Sequence, residues 1–234
     1  MCNIFSGLIV TKKGKDWGKV LFLSGVHHEK DREQIKEKYG DETLAWESTE
    51  KYSLTEFKFT HTINVNKKEQ KELMKILKAW VKKQDKEKLL RSMITVLDKN
   101  NKPTQDYKIF DNTVHIGDNM TLICDWGVDV VAGDGANITA GYGANITAGH
   151  GANITTEDNA NITARDNAKI TAGDDAKITA GYDANITAGN NSCMIVRYWD
   201  GKIRYKVGYI GEDGLKPNVK YKLNDKHEFE EVKE

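Results

Sequence analysis

From residue 136 to residue 191, apolar and polar side chains alternate for five positions, break for three, and begin again. The pattern returns every eight residues, in units such as GANITAGY, GANITAGH, NAKITAGD and DANITAGN. Alternation is the period of a β-strand with one buried face, and the Gly-, Asp- and Asn-rich triplets are turn chemistry. In the first unit Ala136, Ile138 and Ala140 point inward, Asn137 and Thr139 point outward, and Gly141, Tyr142 and Gly143 turn the chain. One octad cannot enclose a core. Two octads, sixteen residues, therefore make one coil of a parallel β-solenoid, with a three-sided coil of twenty-four as the alternative. Stacking such coils places Ile138, Ile154, Ile170 and Ile186 in one interior ladder and Ile146, Ile162 and Ile178 in the other. Steps of eight reach Val130, Leu122 and Val114 in one direction and Met194 in the other, so the frame runs from about residue 112 to residue 199. That is five to six coils, about 26 Å of solenoid at the ~4.8 Å spacing of hydrogen-bonded strands.

The flanks have other periods. Residues 3–10, 19–24, 44–47 and 57–65 read as strands, and residues 29–38 as a short helix. Leu73, Ile76, Leu77, Trp80 and Val81 then fall on one helix face, with Asn66 as N-cap and Glu69 three residues later. Leu89, Leu90, Met93, Ile94 and Leu97 form a second apolar stripe, and residues 98–104, with Pro103, read as a linker. After Trp199, Asp200-Gly201 between two apolar runs signals a hairpin, and residues 219–223 a further strand. The expected organisation is an α+β domain over residues 1–108, a β-solenoid over 109–199, and a small β cap over 200–234 that closes the last coil and pairs its edge.

Two resemblances bear on this architecture. The segments TAGYGANITAGHGANIT and TAGYDANITAGN resemble the octapeptide-based repeats of bacterial ice-nucleation proteins, whose units read approximately AGYGSTxT and form a β-solenoid. This chain carries Asn-Ile-Thr or Lys-Ile-Thr where that family presents Thr-x-Thr, and only a few coils, which makes ice binding the most distant function considered. The opening MCNIFSG, the octad tract and the ending VRYWDGKIRYKVGYIGEDGLKPNVKYKL are similar to short-array proteins of phage genomes. That resemblance implies architecture and a phage or bacterial setting, and no activity.

Composition narrows the setting further. No stretch approaches the roughly eighteen apolar residues of a membrane span, and the opening lacks a basic leader and a cleavage site, so a cytoplasmic protein is expected, in the host cell if phage-encoded. Cys2, Cys124 and Cys193 are odd in number and far apart, which suits a reducing compartment. Net charge is zero but unevenly placed: residues 1–111 carry 23 basic and 17 acidic side chains, residues 112–191 carry 3 and 10. Most of the positive excess lies on residues 67–91, ten basic against four acidic. This is a solvated helix face or a surface for nucleic acid or an acidic partner.

Three constellations are candidates for chemistry. Cys2 becomes N-terminal if Met1 is removed, and Met-Cys-x-Ile-Phe resembles the opening of glutamine amidotransferase domains, which implies a nucleophilic Cys2 with its own amine as base; Asn3 departs from that family's glycine. His27, His28, Glu29 and Asp31, with His61, offer imidazoles beside carboxylates, but adjacent histidines point different ways and no metal or cofactor is expected. Cys2 with His28 is the only catalytic pair to write down. The third constellation is the solenoid surface, where outward Asn and Thr make flat polar faces and Asp134, Asp158, Asp166, Asp174 and Asp175 mark the corners as solubilising groups. The leading expectation is a non-enzymatic binding or scaffold protein that engages a host protein or nucleic acid, inhibition of a host defence system being one such role. Its candidate contacts are Lys75, Lys78, Lys82, Asn153, Thr155, Asn161 and Thr163. A small hydrolase or acyl-transfer enzyme using Cys2 is the alternative; no membrane partner is expected, and monomer and homodimer both stay open.

Overall fold

The computed structural model describes residues 6–11, 17–22, 43–48, 57–59, 65–124 and 127–233. The chain divides into two compact units, Met1–Met93 and Ile94–Glu234.

In the first unit, strands β1 (Ser6–Val10), β2 (Val20–Phe22), β3 (Thr43–Ser48) and β4 (Phe57–Phe59) form an antiparallel sheet in the order β2-β1-β3-β4. Helix α1 (Lys67–Val81) begins where the sequence places it: the Asn66 side chain accepts from the N–H groups of Lys68 and Glu69, and Glu69 accepts from the Asn66 N–H, a complete capping box. Its Leu73, Leu77 and Val81 stack at i, i+4, i+8 into a core with Ile9, Leu44 and Trp46. The Trp80 ring meets Trp46 edge-on at 6.0 Å, and the Trp46 indole N–H donates to the Leu8 carbonyl. The second apolar stripe is not one helix. Helix α2 (Lys86–Ser92) stops at the Met93 cap, and β5 (Ile94–Leu97) is an extended strand. The predicted helix at 29–38 lies outside the described residues.

The second unit is the parallel β-solenoid, with two strands and sixteen residues per coil. Its strands are β7 (Thr113–Ile116), β8 (Thr121–Cys124), β9 (Asp129–Ala132), β10 (Asn137–Ala140), β11 (Asn145–Ala148), β12 (Asn153–Thr156), β13 (Asn161–Ala164), β14 (Lys169–Ala172), β15 (Lys177–Ala180), β16 (Asn185–Ala188) and β17 (Cys193–Trp199). Even-numbered strands from β8 to β16 form sheet one and odd-numbered strands from β7 to β17 form sheet two. Along sheet one, Leu122, Ile138, Ile154, Ile170 and Ile186 are in register; along sheet two, Val114, Val130, Ile146, Ile162, Ile178 and Met194 are. All are buried, and buried alanines such as Ala136, Ala144, Ala152 and Ala160 fill the narrow remainder. Such a core has little depth, so each isoleucine, worth roughly 1.5–3 kcal/mol when fully buried, has no second layer behind it.

Antiparallel strands close both ends. At the start, β5 pairs with β8, and β6 (Lys108–Phe110) pairs with β7. Residues 98–104 are no linker but a turn folded back on β5: the Asp98 carboxylate accepts from the N–H groups of Asn100 and Lys102, and the Thr104 N–H donates to the Val96 carbonyl. The Lys102 N–H, more than any other neighbour, holds that carboxyl below its ordinary pKa, against a smaller opposing effect of desolvation. At the far end the predicted hairpin forms, β18 (Ile203–Tyr209) pairing with β17. Strand β19 (Lys220–Leu223) pairs with β16, and β20 (Phe229–Glu231) pairs with β19.

Among the described residues, two buried polar side chains interrupt the interior. Ser192 stands where other octads have alanine; its hydroxyl accepts from the Ala176 N–H and donates to the Gly173 carbonyl. Thr156 also replaces an alanine, and its Oγ1 is buried without a partner. An unmade hydrogen bond of this kind costs about 1–3 kcal/mol. Thr156→Val keeps the volume and removes the hydroxyl, and is expected to raise stability by about 1 kcal/mol in urea denaturation. The ladders give the opposite prediction: Ile154→Asp or Ile162→Asp puts an unpaired charge into the thin core and unfolds the array, read as loss of the cooperative thermal transition.

Candidate functional site

Octads alternate between the sheets, so the predicted surface residues do not form one patch. Asn153 and Thr155 lie on β12 in sheet one, while Asn161 and Thr163 lie on β13 in sheet two, on the opposite side of the solenoid. All four are exposed. The two faces differ. On sheet two an amide chain runs from coil to coil: Asn161 Nδ2 donates to Asn145 Oδ1 at 3.0 Å, and Asn145 Nδ2 donates to Asp129 Oδ1 at 2.6 Å. On sheet one only the Asn153 to Asn137 rung forms, at 3.0 Å. A shallow trough follows the sheet-two chain, with Asp129, Asn145, Asn161 and Lys177 on one side and Val131, Thr147, Thr163 and Thr179 on the other. It carries one charge of each sign near its ends, a short apolar patch at Val131, and hydroxyls at the strand spacing.

In the first unit, Lys75, Lys78 and Lys82 are exposed on the side of α1 away from Leu73, Leu77 and Val81. With Lys71 they stand at i, i+4, i+7 and i+11, so like charges face one another along a single stripe. Each such pair costs roughly 0.2–0.5 kcal/mol, which an acidic ligand would relieve. Cys2, His27, His28, Glu29, Asp31 and His61 lie outside the described residues. Among the described residues no three of His, Cys, Asp or Glu converge in a way that could hold a metal ion.

The corner aspartates have a role that reading them as solubilising groups missed. Each fully described corner has three residues, and the third has positive φ: Asn119, Gly135, Gly143, Gly151, Asn159, Asn167, Asp175, Asp183 and Asn191. This left-handed conformation explains why only Gly, Asn and Asp occur there. The second residue is often Asp, and its carboxylate accepts a backbone N–H from the coil above: Asp118 from Asp134, Asp134 from His150, Asp158 from Asp174, Asp166 from Tyr182, and Asp174 from Asn190. The first residue of the next coil's corner sits directly over that carboxylate. At Gly133, Gly149, Gly173, Gly181 and Gly189 a Cβ would collide with the Asp below, whereas Glu157 and Arg165, which carry side chains, follow Tyr142 and His150 at the same spacing. An Asp at one position and a Gly fifteen residues later is thus a signal in the sequence itself. These carboxylates tie coil to coil.

A second concavity lies at the far end, lined by Tyr182, Arg197, Tyr198, Trp199, Asn224 and His227. Arg197 spans it: Nη2 donates to Asp166 at 2.7 Å while the guanidinium lies 4.7 Å from the centroid of the Tyr182 ring, and Tyr198 stacks on His227 at 4.3 Å. Apart from Asp166, these residues were not singled out in the sequence, because their meeting depends on how the last coil ends.

The corner geometry predicts that Gly173→Ala destabilises by about 1–3 kcal/mol, through collision with Asp158 and its backbone. Glu157→Ala, at the same octad position above Tyr142, changes stability by less than about 0.5 kcal/mol. Denaturant midpoints of the two variants check this. Compared with known proteins, the chain matches no family, no curated protein and no solved structure.

Proposed function

We propose that the protein is a non-enzymatic binding scaffold whose solenoid holds a flat polar face against a macromolecular partner, with a host protein as the occupant of the sheet-two trough. The observation that supports this reading most is the trough itself: a continuous amide chain from Asp129 to Asn161 beside a row of threonines, repeated on rigid hydrogen-bonded strands. A surface pre-ordered in this way loses little conformational entropy on binding. The acidic excess of residues 112–191 disfavours nucleic acid on this unit and leaves it, or another acidic partner, to the α1 lysine stripe. Similarity of the chain's ends to short-array phage proteins supplies the setting: a phage-encoded protein in the cytoplasm of the host, with inhibition of a host defence system as one role for such a binder. Among the described residues no helix is long and apolar enough to cross a membrane.

Paired variants on the two faces test the reading. Thr147→Arg with Thr163→Arg on sheet two is expected to weaken capture of the partner at least tenfold, about 1.4 kcal/mol. Thr139→Arg with Thr155→Arg on sheet one leaves it within about twofold, and Cys2→Ser leaves it unchanged. Binding that ignores the sheet-two pair, or that is lost in Cys2→Ser, overturns the proposal. The lysine stripe is judged separately by charge reversal at Lys75, Lys78 and Lys82: attachment of an acidic ligand there falls steeply as salt rises and disappears in the reversed variant.

A further inference from the structure

Among the described residues the two sheets of the solenoid have four edge strands, and three are blunted. Strand β20 has three residues and carries Glu230 and Glu231. Strand β6 has three residues and runs into Asp111 and Asn112, both at positive φ. Strand β5 is partly covered by the turn whose Thr104 N–H bonds to Val96. Strand β18 is different. It is seven residues long, has β17 as its only strand neighbour among the described residues, and presents Ile203, Tyr205, Val207 and Tyr209 on one face, all between 45% and 58% exposed, with Trp199 beside them at 60%. A long, regular, apolar edge is the kind that native proteins otherwise protect.

Its hydrogen-bonding groups point the same way. At the ends of the hairpin the Ile210 N–H donates to Ser192 and the Asp200 N–H to Lys202, so the even-numbered residues of β18 face β17. By alternation the N–H groups of Ile203, Tyr205, Val207 and Tyr209, and the carbonyls of the first three, face outward along the edge. Beneath the strand, Gly208 packs so closely on Phe229 and Leu215 that a Cβ would not fit, which anchors the strand from the inside. The edge is therefore pre-formed.

We propose that this edge pairs with β18 of a second copy of the chain, antiparallel, about a two-fold axis at Val207. In that register Val207 of each copy exchanges both backbone hydrogen bonds with the other, and Tyr205 of each lies directly opposite Tyr209 of the other, two aromatic cross-strand pairs. Charge selects the register. An axis at Lys206 opposes the two Lys206 side chains, and an axis at Tyr205 opposes Arg204 to Lys206. The axis at Val207 sets Lys206 opposite Gly208 and Arg204 opposite Ile210. It is the one register keeping at least five residues of β18 paired in which no cation faces another, like charges directly opposite being destabilising. A net charge of zero adds no long-range repulsion between copies. The contact is isologous, so it closes at two copies and leaves the blunted ends outermost.

Light scattering on the full chain after size exclusion, at concentrations up to about 100 μM, tests the pairing. Twice the 26.4 kDa of one chain is expected for the wild type. Val207→Lys places two cations on the axis, and Val207→Pro removes the central outward N–H without touching the β17 ladder; each is expected to weaken dimerisation tenfold or more with an unchanged circular-dichroism spectrum. Val207→Cys is expected to cross-link under mild oxidation, because residues paired on the axis have Cα atoms about 5.5 Å apart. A wild type that stays monomeric throughout, or a dimer that survives both Val207→Lys and Val207→Pro and does not cross-link through Val207→Cys, overturns the proposal.

Discussion

Every feature of the solenoid follows from one constraint: each coil is hydrogen bonded to the next in register, so the residue sixteen positions later must fit directly on top. Inside, this selects isoleucine over isoleucine and alanine over alanine, because a shallow interior accommodates one branched side chain per strand. At the corners it selects combinations. A carboxylate that caps the N–H above it forbids a Cβ at the neighbouring position of the next coil, so Asp134 and Gly149 are a pair, while His150 permits Arg165. Stability is thereby spread along the array as a sum of similar coil-to-coil terms, and a defect such as Thr156 is paid for locally.

The same stacking makes the surface regular. Because outward positions repeat as strictly as inward ones, the two faces become ladders of amides and hydroxyls, and their difference lies in the substitutions. On sheet two Asp129 and Lys177 replace asparagine at the two ends of the row; on sheet one Lys169 does so once, and the amide chain is shorter. The sheet-two face therefore has a direction, with a charge of opposite sign towards each end of its row. The first unit contributes a separate surface, a cationic stripe on a helix whose opposite side is fixed by the core around Trp46.

A stack of coils also has a problem at its ends, where unpaired strands would template further growth. Antiparallel capping strands solve it at the first coil and on sheet one at the last. On sheet two the cap is itself a long strand, so the edge has been moved outward to β18 rather than removed. The aromatic composition of that strand gives the relocated edge a chemistry distinct from the Asn and Thr ladders.

The sequence by itself determined the coil. The period of eight, the alternation within it and the Gly, Asn or Asp at each corner specify strand, turn and inward face, since each is a local requirement of backbone geometry or of a two-residue side-chain period. The α1 helix was equally legible, from Asn66, Glu69 and the spacing of Leu73, Leu77 and Val81. The segment from Met93 to Thr104 was not: Ile94 and Leu97 continue a helical spacing, and only pairing with β8, twenty-four or more residues away, makes them a strand. What tertiary structure alone decided is which residues meet. Asn153 and Asn161 look equivalent along the chain and lie on opposite faces because a coil has two sides. The Arg197–Asp166–Tyr182 cluster and the outer edge of β18 join residues that are adjacent through the stack of coils or at its last turn, and local pattern does not report contacts of that kind; the Asp–Gly corner pairs leave a fifteen-residue spacing in the sequence, but only the stack gives that spacing its meaning.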